Sequence, residues 1–173
     1  MTNNKKQKYN LLFFVGLILA LAADQWTKWL AVTHLKGQAP FVIWDGVFEL
    51  YYSENRGMAF GMLQGRQTFL LITTLIVVIL VLIAFYRLPV SRRFLPMRFC
   101  LFFITAGAFG NMIDRAMQGY VVDFLYFKLI DFPIFNVADC YVTVSTFCLL
   151  LLFFFYYKEE EFSVLFSRKE NRP

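Results

Sequence analysis

The chain has few charged residues, one histidine and no paired-cysteine motif, and each shortage argues against a class of protein. Only 17% of its 173 residues are charged, whereas a soluble domain usually carries about 25%. Hydrophobic residues make up 59% of the chain, and 22 residues are Phe. The composition therefore predicts a protein whose solvent is lipid rather than water.

The scarce histidine and cysteine residues indicate neither a metal site nor a disulfide framework. Cys100, Cys140 and Cys148 are odd in number, lie in or beside apolar runs and lack CxxC spacing. We expect the single histidine, His34, to lie in a solvated loop near the membrane surface. The sequence contains no HExxH motif, no GxSxG motif and no glycine-rich phosphate loop. Zinc hydrolysis and serine catalysis are therefore unsupported, and we expect neither a metal nor a cofactor.

Four apolar runs approach the length of about 20 residues that a helix needs to cross a membrane. They cover residues 11–31, 69–86, 99–115 and 137–157. The first run has a basic start, as a secretory signal has, but Asp24 and Lys28 follow and apolar residues continue beyond them, so we interpret it as a retained span. The sequence thus predicts a single domain, residues 1–173, folded as an all-α integral membrane bundle of four transmembrane helices.

The basic residues predict the orientation of this bundle. Lys and Arg cluster before the first run, between the second and third runs, and after the fourth. Such clusters mark the cytoplasmic side of a membrane protein. Residues 87–98 are then a cytoplasmic loop, both termini are cytoplasmic, and residues 32–68 and 116–136 form outer loops. Nucleic-acid binding explains the net charge of +5 less well, because no basic stripe follows one predicted face.

The first outer loop has the pattern of a β-hairpin. Asp45-Gly46 is a favoured two-residue turn, and it separates the β-rich segments VIW and VFELYY. We expect a small extracytoplasmic sheet that lies on the membrane surface. An irregular loop with interfacial aromatic residues is the alternative.

Polar residues near the spans all fall at the ends that are predicted to face outward. Within each span they are three or four residues apart, so they share a helix face. They are Asp24 and Lys28 in the first span, Gly107, Asn111 and Arg115 in the third, and Asn136 and Asp139 in the fourth. Ionisable groups at membrane depth are functional candidates, and we expect these residues to converge in a layer under the outer surface.

Some of these charges have a purely structural interpretation. Asp24 pairs with Lys28 in this interpretation, and Asp114 pairs with Arg115 or Lys128, so that each pair fixes a helix end. Such a protein would be a scaffold subunit whose charges only join helices. Asn is also a favoured N-cap residue, which gives the Asn at the start of the fourth span a structural explanation.

Asp123 and Asp139 have no basic partner at helical spacing within their own segments. Two carboxylates that meet at low dielectric cannot both ionise cheaply. A pair that shares one proton is the arrangement of aspartic proteases, in which one group activates water and the other protonates the leaving group. A small polytopic transporter or proton-conducting bundle is the rival hypothesis, since it too places ionisable groups in the membrane.

Five segments resemble, in order, the signatures of the lipoprotein signal peptidases (signal peptidase II). They are DQWTK at 24–28, NRGMAFG at 55–61, GAFGNMIDR at 107–115, GYVVDF at 119–124 and FNVAD at 135–139. The resemblance implies a four-helix membrane bundle with an outer β-cradle. It also implies an aspartic endopeptidase that cuts bacterial prolipoproteins just before a cysteine that carries a diacylglyceryl group.

By this resemblance the catalytic pair falls on Asp123 and Asp139. The supporting and substrate-binding positions fall on Asp24, Lys28, Asn55, Gly57, Gly107, Asn111, Arg115, Asn136 and Ala138. The implied partners are diacylglyceryl-prolipoprotein substrates, membrane lipids and inhibitors of the globomycin type. We expect a monomer in the bacterial cytoplasmic (inner) membrane, with the active site near the outer leaflet and no nucleic-acid partner.

Overall fold

The computed structural model of the chain describes residues 3–57, 62–158 and 160–161. Its elements are helices α1 (Asn3–Leu35), α2 (Gln67–Arg87), α3 (Leu95–Gln118) and α4 (Val137–Phe155), strands β1 (Phe41–Trp44), β2 (Phe48–Asn55) and β3 (Val121–Phe127), and a 3-10 turn at Lys128–Ile130. All four helices are long and apolar enough to cross a membrane. The predicted fold class is confirmed, and the chain is a multi-pass membrane protein.

The helices differ from the predicted spans mainly at their ends. Helix α1 continues to Leu35, so His34 lies in its last turn and not in a loop. The helix continues past the predicted end at residue 31 and stops before Gly37. The φ of Gly37 is +74°, which is incompatible with a right-handed helix. Helix α4 ends at Phe155, two residues before the predicted boundary. Most of the C-terminal tail lies outside the described residues.

Helix α3 is the central helix of the bundle. More than half of its most apolar stretch is buried within the protein, against less than a fifth for each of the other three helices. It is also the least hydrophobic of the four. A helix that contacts protein on most sides can carry polar residues that would be costly against lipid, and α3 supplies several of the polar residues described below.

Helix α2 shows the opposite environment. It is the most apolar of the four helices, and large side chains such as Leu75, Ile76 and Leu80 are exposed on its surface. Only Leu70, Val78 and Phe85 of this helix are buried. Such an exposed apolar surface is expected where lipid covers it.

The outer β-structure is a three-stranded antiparallel sheet in the order β1-β2-β3. The predicted Asp45-Gly46 turn joins β1 and β2, and Gly46 has a φ of +69°. The hairpin is therefore confirmed. The sequence did not predict that β3 would pair with β2, with Ser53 opposite Asp123. Residues Val121 to Phe124 of β3 are buried, so the sheet places Asp123 in the interior.

Two apolar clusters pack the two ends of the bundle. One lies under the sheet and consists of Ala31, Val122 and Phe124. The other lies among the helices at the end away from the sheet, and its buried members are Phe13, Phe85, Leu88, Met97, Leu101 and Tyr157. The polar site lies just inside the first cluster.

Candidate active site

Asp123 reaches the site because the chain turns sharply after α3. Gly119 ends the helix in the left-handed conformation, with a φ of +76°, which glycine adopts without strain. The next residues form β3, and the backbone N–H of Val122 donates to Asp114 Oδ2 at 3.1 Å. This bond ties the strand to the helix end. Asp123 follows directly and is only 2% exposed.

Asp139 reaches the site as part of a helix cap. Asn136 is the N-cap of α4, as the sequence predicted, and its Oδ1 accepts from the backbone N–H of Asp139 at 3.0 Å. The backbone N–H of Asn136 donates in return to Asp139 Oδ2 at 3.1 Å. This reciprocal pair is a capping box. The cap fixes the rotamer of Asp139 at the start of the helix.

Asn136 joins the two acids. Its Nδ2 donates to Asp123 Oδ1 at 2.6 Å and to Asn111 Oδ1 at 3.1 Å. Asn111 Nδ2 donates to Asp139 Oδ1 at 2.7 Å. The structure therefore brings the two carboxylates, sixteen residues apart in the chain, onto one fully buried asparagine.

Lys28 holds a second pair of acids beside the first. Its Nζ lies 3.0 Å from Asp24 Oδ2 and 3.1 Å from Asp114 Oδ2, and it donates to Asn111 Oδ1 at 3.0 Å. All three charged side chains are at most 4% exposed. One cation thus links α1 to α3 and also orients the amide that contacts Asp139.

The expected partners of Asp114 were wrong. Asp114 pairs with Lys28 and not with Arg115 or Lys128. Lys128 instead forms an ion pair with Glu49 at 2.6 Å, and Arg115 Nη2 donates to the carbonyl of Gly57 at 3.1 Å. Sequence spacing within one helix could not identify Lys28, because the pair spans two helices.

Two glycines of α3 allow the helices to approach closely at this level. A Cβ on Gly107 would lie 2.3 Å from the carbonyl oxygen of Ala138, and one on Gly110 would lie 2.5 Å from Asp24 Oδ2. The approach lets Asp24 Oδ1 accept from the backbone N–H of Ala138 at 2.9 Å. Asp24 therefore satisfies a free N–H at the start of α4.

Gln25 and Gly110 belong to the network, although the sequence pattern had indicated a role for neither. Gln25 Nε2 donates to Asp114 Oδ1 at 2.9 Å and to the carbonyl of Gly110 at 3.3 Å. The available signal was position, since Gln25 precedes Lys28 by three residues and Gly110 follows Gly107 by three. Both therefore lie on the helix faces already identified.

A cleft of about 460 Å³ opens beside the acids. Its lining residues are Asn55, Arg115, Phe132, Pro133, Ile134, Phe135, Asp139, Cys140, Thr143 and Val144. Asp139 lines this cleft, whereas Asp123 lies one layer deeper. Asn55 lies between Asp123 and the cleft, since it lines the cleft and its Nδ2 donates to Asp123 Oδ2 at 2.9 Å.

Asn55 and Arg115, two of the predicted supporting and substrate-binding residues, line this cleft. Asn55 Oδ1 accepts from the backbone N–H of Gly57 at 3.0 Å, which orders the end of β2. Arg115 Nε is buried and has no hydrogen-bond partner among the described residues. Residues 58–61 of the predicted signature lie outside the described part of the chain.

The walls of the cleft were not predicted from the sequence. One wall is the face of α4 that carries Cys140, Thr143 and Val144, and the other is the segment 132–135. Helical spacing from Asp139 could have found the first wall, because the three residues follow it at one, four and five positions. Nothing in the sequence pattern identified the second wall.

The electrostatics of the cluster favour a proton on the acid pair. Ionisation of every acid would place four carboxylates, those of Asp24, Asp114, Asp123 and Asp139, beside the cations of Lys28 and Arg115. Burial, together with the negative charge of Asp139, raises the pKa of Asp123 to about 7. Below about pH 7 the pair therefore retains a proton, which belongs to both acids.

The cluster is confined to one end of the bundle. The rival transporter hypothesis requires charges that extend through the membrane depth. The charges of this cluster do not, and α2 contributes no charged residue between its ends. In the described ranges no group of three His, Cys, Asp or Glu side chains is placed to hold a metal ion. Fold and site together define an integral membrane enzyme with a pair of carboxylates, of which Asp123 is buried and Asp139 lines a cleft.

Comparisons with known proteins identify the family. The model of the signal peptidase (SPase) II family matches residues 16–155. The lipoprotein signal peptidase of Brevibacillus brevis is 43% identical over 139 residues, which cover 80% of this chain and 91% of the relative. That of Streptococcus thermophilus is 39% identical over 136 residues, covering 79% and 88%. The chain therefore belongs to the signal peptidase II family, and it is an aspartic endopeptidase.

Solved structures agree with this assignment. A bacterial membrane enzyme determined by the in meso method at 2.3 Å resolution superposes with a TM-score of 0.73 at 27% identity, covering 94% of this chain and 93% of the other. A second, determined at 1.9 Å resolution, gives a TM-score of 0.71 at 29% identity, with 84% and 94% covered.

Proposed function

We propose that Asp123 and Asp139 are the catalytic pair of this signal peptidase, which cleaves the signal peptides of bacterial prolipoproteins. The bond cut lies just before the cysteine that carries the diacylglyceryl group. One observation carries the proposal: Asn136 hydrogen-bonds to both acids and is itself fully buried. A spacer of this kind holds two carboxylates at a fixed separation, as acid–base catalysis requires.

The shared proton supplies the chemistry. The carboxylate that lacks the proton accepts one from water, and the water oxygen adds to the carbonyl carbon of the scissile peptide bond. The other acid then gives its proton to the cysteine nitrogen as the carbon–nitrogen bond breaks. The products are a signal peptide with a new carboxyl group and a lipoprotein with a free amino terminus. The proton from water restores the original state of the pair.

The remaining polar residues position this pair or the substrate. Asn111 and Lys28 hold Asp139 and its neighbours in place through a chain of hydrogen bonds. Asn55 lies between Asp123 and the cleft. The unpaired Nε of Arg115 is available to a substrate carbonyl and would stabilise negative charge on that oxygen during attack.

The cleft suits a substrate that arrives from lipid. Apolar side chains form most of its walls, and exposed apolar residues such as Phe132 and Val144 lie at its edge. We infer that the signal peptide enters sideways as an apolar helix, with its lipid chains in the outer leaflet. The basic clusters in the sequence support an orientation with both termini in the cytoplasm and the site near the outer face of the inner membrane. Globomycin-type inhibitors would occupy the same cleft, and a monomer contains every residue of the site.

The proposal can be tested with purified protein and a diacylglyceryl-modified precursor. We expect mass spectrometry to show one cut, directly before the lipidated cysteine. The same precursor without the lipid is the matched control, and we expect it to be cut far more slowly. Equal cleavage of the two precursors, or cleavage at a different bond, would contradict the proposed substrate class.

A further inference from the structure

A second groove, of about 280 Å³, lies at the opposite end of the bundle. It opens between the start of α1 and the start of α3, and its lining includes Phe13, Gly16, Phe99 and Phe102. Arg98 and Tyr9 lie at its polar end. Arg98 is seventeen residues before Arg115 on α3, so the groove lies about 25 Å from the catalytic cluster along the helix axis.

Arg98 is an unusual residue to find in such a groove. Its side chain is only 7% exposed. Nη1 donates to the carbonyl of Phe85 at 3.0 Å and to that of Leu88 at 3.2 Å, which satisfies free carbonyls at the end of α2. The guanidinium carbon lies 4.0 Å from the centre of the Phe85 ring.

These contacts leave the charge of Arg98 without an opposite charge. Within residues 3–57, 62–158 and 160–161 no carboxylate forms an ion pair with it. Its Nε and Nη2 carry three further N–H groups, and these make no hydrogen bond to a described residue. A buried charge normally has a partner, and an anion bound in this groove would provide one for Arg98.

We propose that this groove binds one anionic phospholipid, with the phosphate at Arg98 and part of one acyl chain along Phe13, Gly16 and Phe102. The guanidinium offers two parallel N–H groups, which match a phosphate. Tyr9 offers a further hydroxyl donor. On the orientation proposed above, this lipid belongs to the cytoplasmic leaflet, and its site is separate from the site of peptide cleavage.

The surroundings favour a lipid with a net negative charge. The sequence around this end is basic, with Lys5, Lys6 and Lys8 among the first residues of α1 and Arg87 and Arg92 at or near the α2–α3 loop. Anionic headgroups are attracted to such clusters. The apolar side chains along the groove suit an acyl chain. A free phosphate ion has no such chain and would leave this part of the groove without a contact.

The test is lipid retention by the purified full-length protein in dodecyl maltoside, measured by native mass spectrometry. We expect the wild-type protein to retain one phosphatidylglycerol at a concentration at least about tenfold below that needed for phosphatidylcholine. Arg98→Gln should lose this preference, whereas Arg92→Gln, which removes an exposed charge nearby, should keep it. Arg98→Lys should keep only part of it, because the cation remains but the two parallel N–H groups are lost.

A second variant tests the groove without touching the charge. Gly16→Leu should reduce retention of phosphatidylglycerol, since even a Cβ at this position lies 3.2 Å from the Phe102 ring. Leu19→Phe, on the lipid-facing surface of the same helix, is its control. Equal retention of the two lipids by the wild-type protein, unchanged retention by Arg98→Gln or Gly16→Leu, or displacement of the lipid by millimolar inorganic phosphate would overturn the proposal.

Discussion

The two ends of the helix bundle are held together by different forces. At the end that carries the sheet, called the outer end below, buried and half-buried charged and amide side chains from three helices and two strands are joined by hydrogen bonds of 2.6–3.3 Å. At the other, inner end, aromatic rings pack against one another, and the ring centres of Phe13 and Phe85 are only 4.4 Å apart. Among the described residues at that end, Arg98 is the one charged side chain that is buried.

The difference follows from lipid as the solvent. Apolar side chains gain little from leaving lipid for a protein interior, so the inner end gains mainly from close packing. Hydrogen bonds are directional, and they fix the angles between groups as well as the distances. The hydrogen bonds of the outer end therefore fix the geometry that catalysis needs. The packing of the inner end stabilises the bundle but tolerates small changes in side-chain position.

The largest expected effect comes from removing one of the two acids. Asp123→Asn or Asp139→Asn should lower cleavage of lipidated precursor by about 10²- to 10⁴-fold, because general acid–base catalysis is lost. The midpoint of thermal unfolding should stay close to that of the wild-type protein. Phe13→Ala at the inner end should do the reverse, with a lower midpoint and nearly normal cleavage per folded molecule. Near-normal cleavage by either Asn variant would contradict the assignment of the pair.

The next effect is on stability at the outer end. Lys28→Met leaves Asp24 and Asp114 buried without their shared cation, which should cost about 3–5 kcal/mol. The control is Lys36→Met, which removes the exposed ion pair with Glu54 and should cost at most about 1 kcal/mol. Denaturation in detergent measures both. Similar losses of unfolding free energy in the two variants would contradict the claim that the buried Lys28 network stabilises the protein more than an exposed ion pair does.

A smaller difference between the two ends is expected when one glycine at each end is replaced by alanine, which adds one methyl group. Gly107→Ala places a Cβ against the backbone oxygen of Ala138, which cannot move without moving α4, so we expect a loss of about 1–3 kcal/mol. Cleavage should fall as well, since α4 carries Asp139. Gly16→Ala meets only the end of the Phe102 ring, which can rotate. Equal effects of the two variants on cleavage would contradict the comparison.

Much of the fold could be predicted because lipid imposes simple rules. Apolar length predicted four spans, and the Asp45-Gly46 turn predicted the hairpin. The pairing of β3 with β2 was not predicted, since VVDFLYF contains no signal for its partner strand. The ends of α1 were also missed, because polar residues near the membrane surface continue a helix without an apolar pattern.

The sequence predicted which residues belong to the site but not which of them contact one another. Motif resemblance brought together residues such as Asn111, Asn136 and Asp139, and the structure places them in one network. Pairing rules within one helix failed for Asp114, whose partner Lys28 lies on α1. Contacts between elements depend on how the helices pack, and that information is not local in the sequence.

The shared proton gives the central claim a definite pH dependence. The pKa of Asp123 is raised to about 7 by burial and by the charge of Asp139. Below that pH the pair retains its proton, and above it the proton is lost. An acid that has lost its proton cannot protonate the leaving nitrogen, so activity must fall as the pH rises through this value.

The most direct measurement is therefore kcat/KM for cleavage of lipidated precursor as a function of pH from 5 to 9. This profile reports the pKa values of essential groups in the free enzyme. We expect activity to fall with a midpoint near pH 7, while thermal unfolding shows the protein folded across the range. A profile that stays flat from pH 6 to 9, or that rises through pH 7, would contradict catalysis by a carboxyl pair that shares one proton.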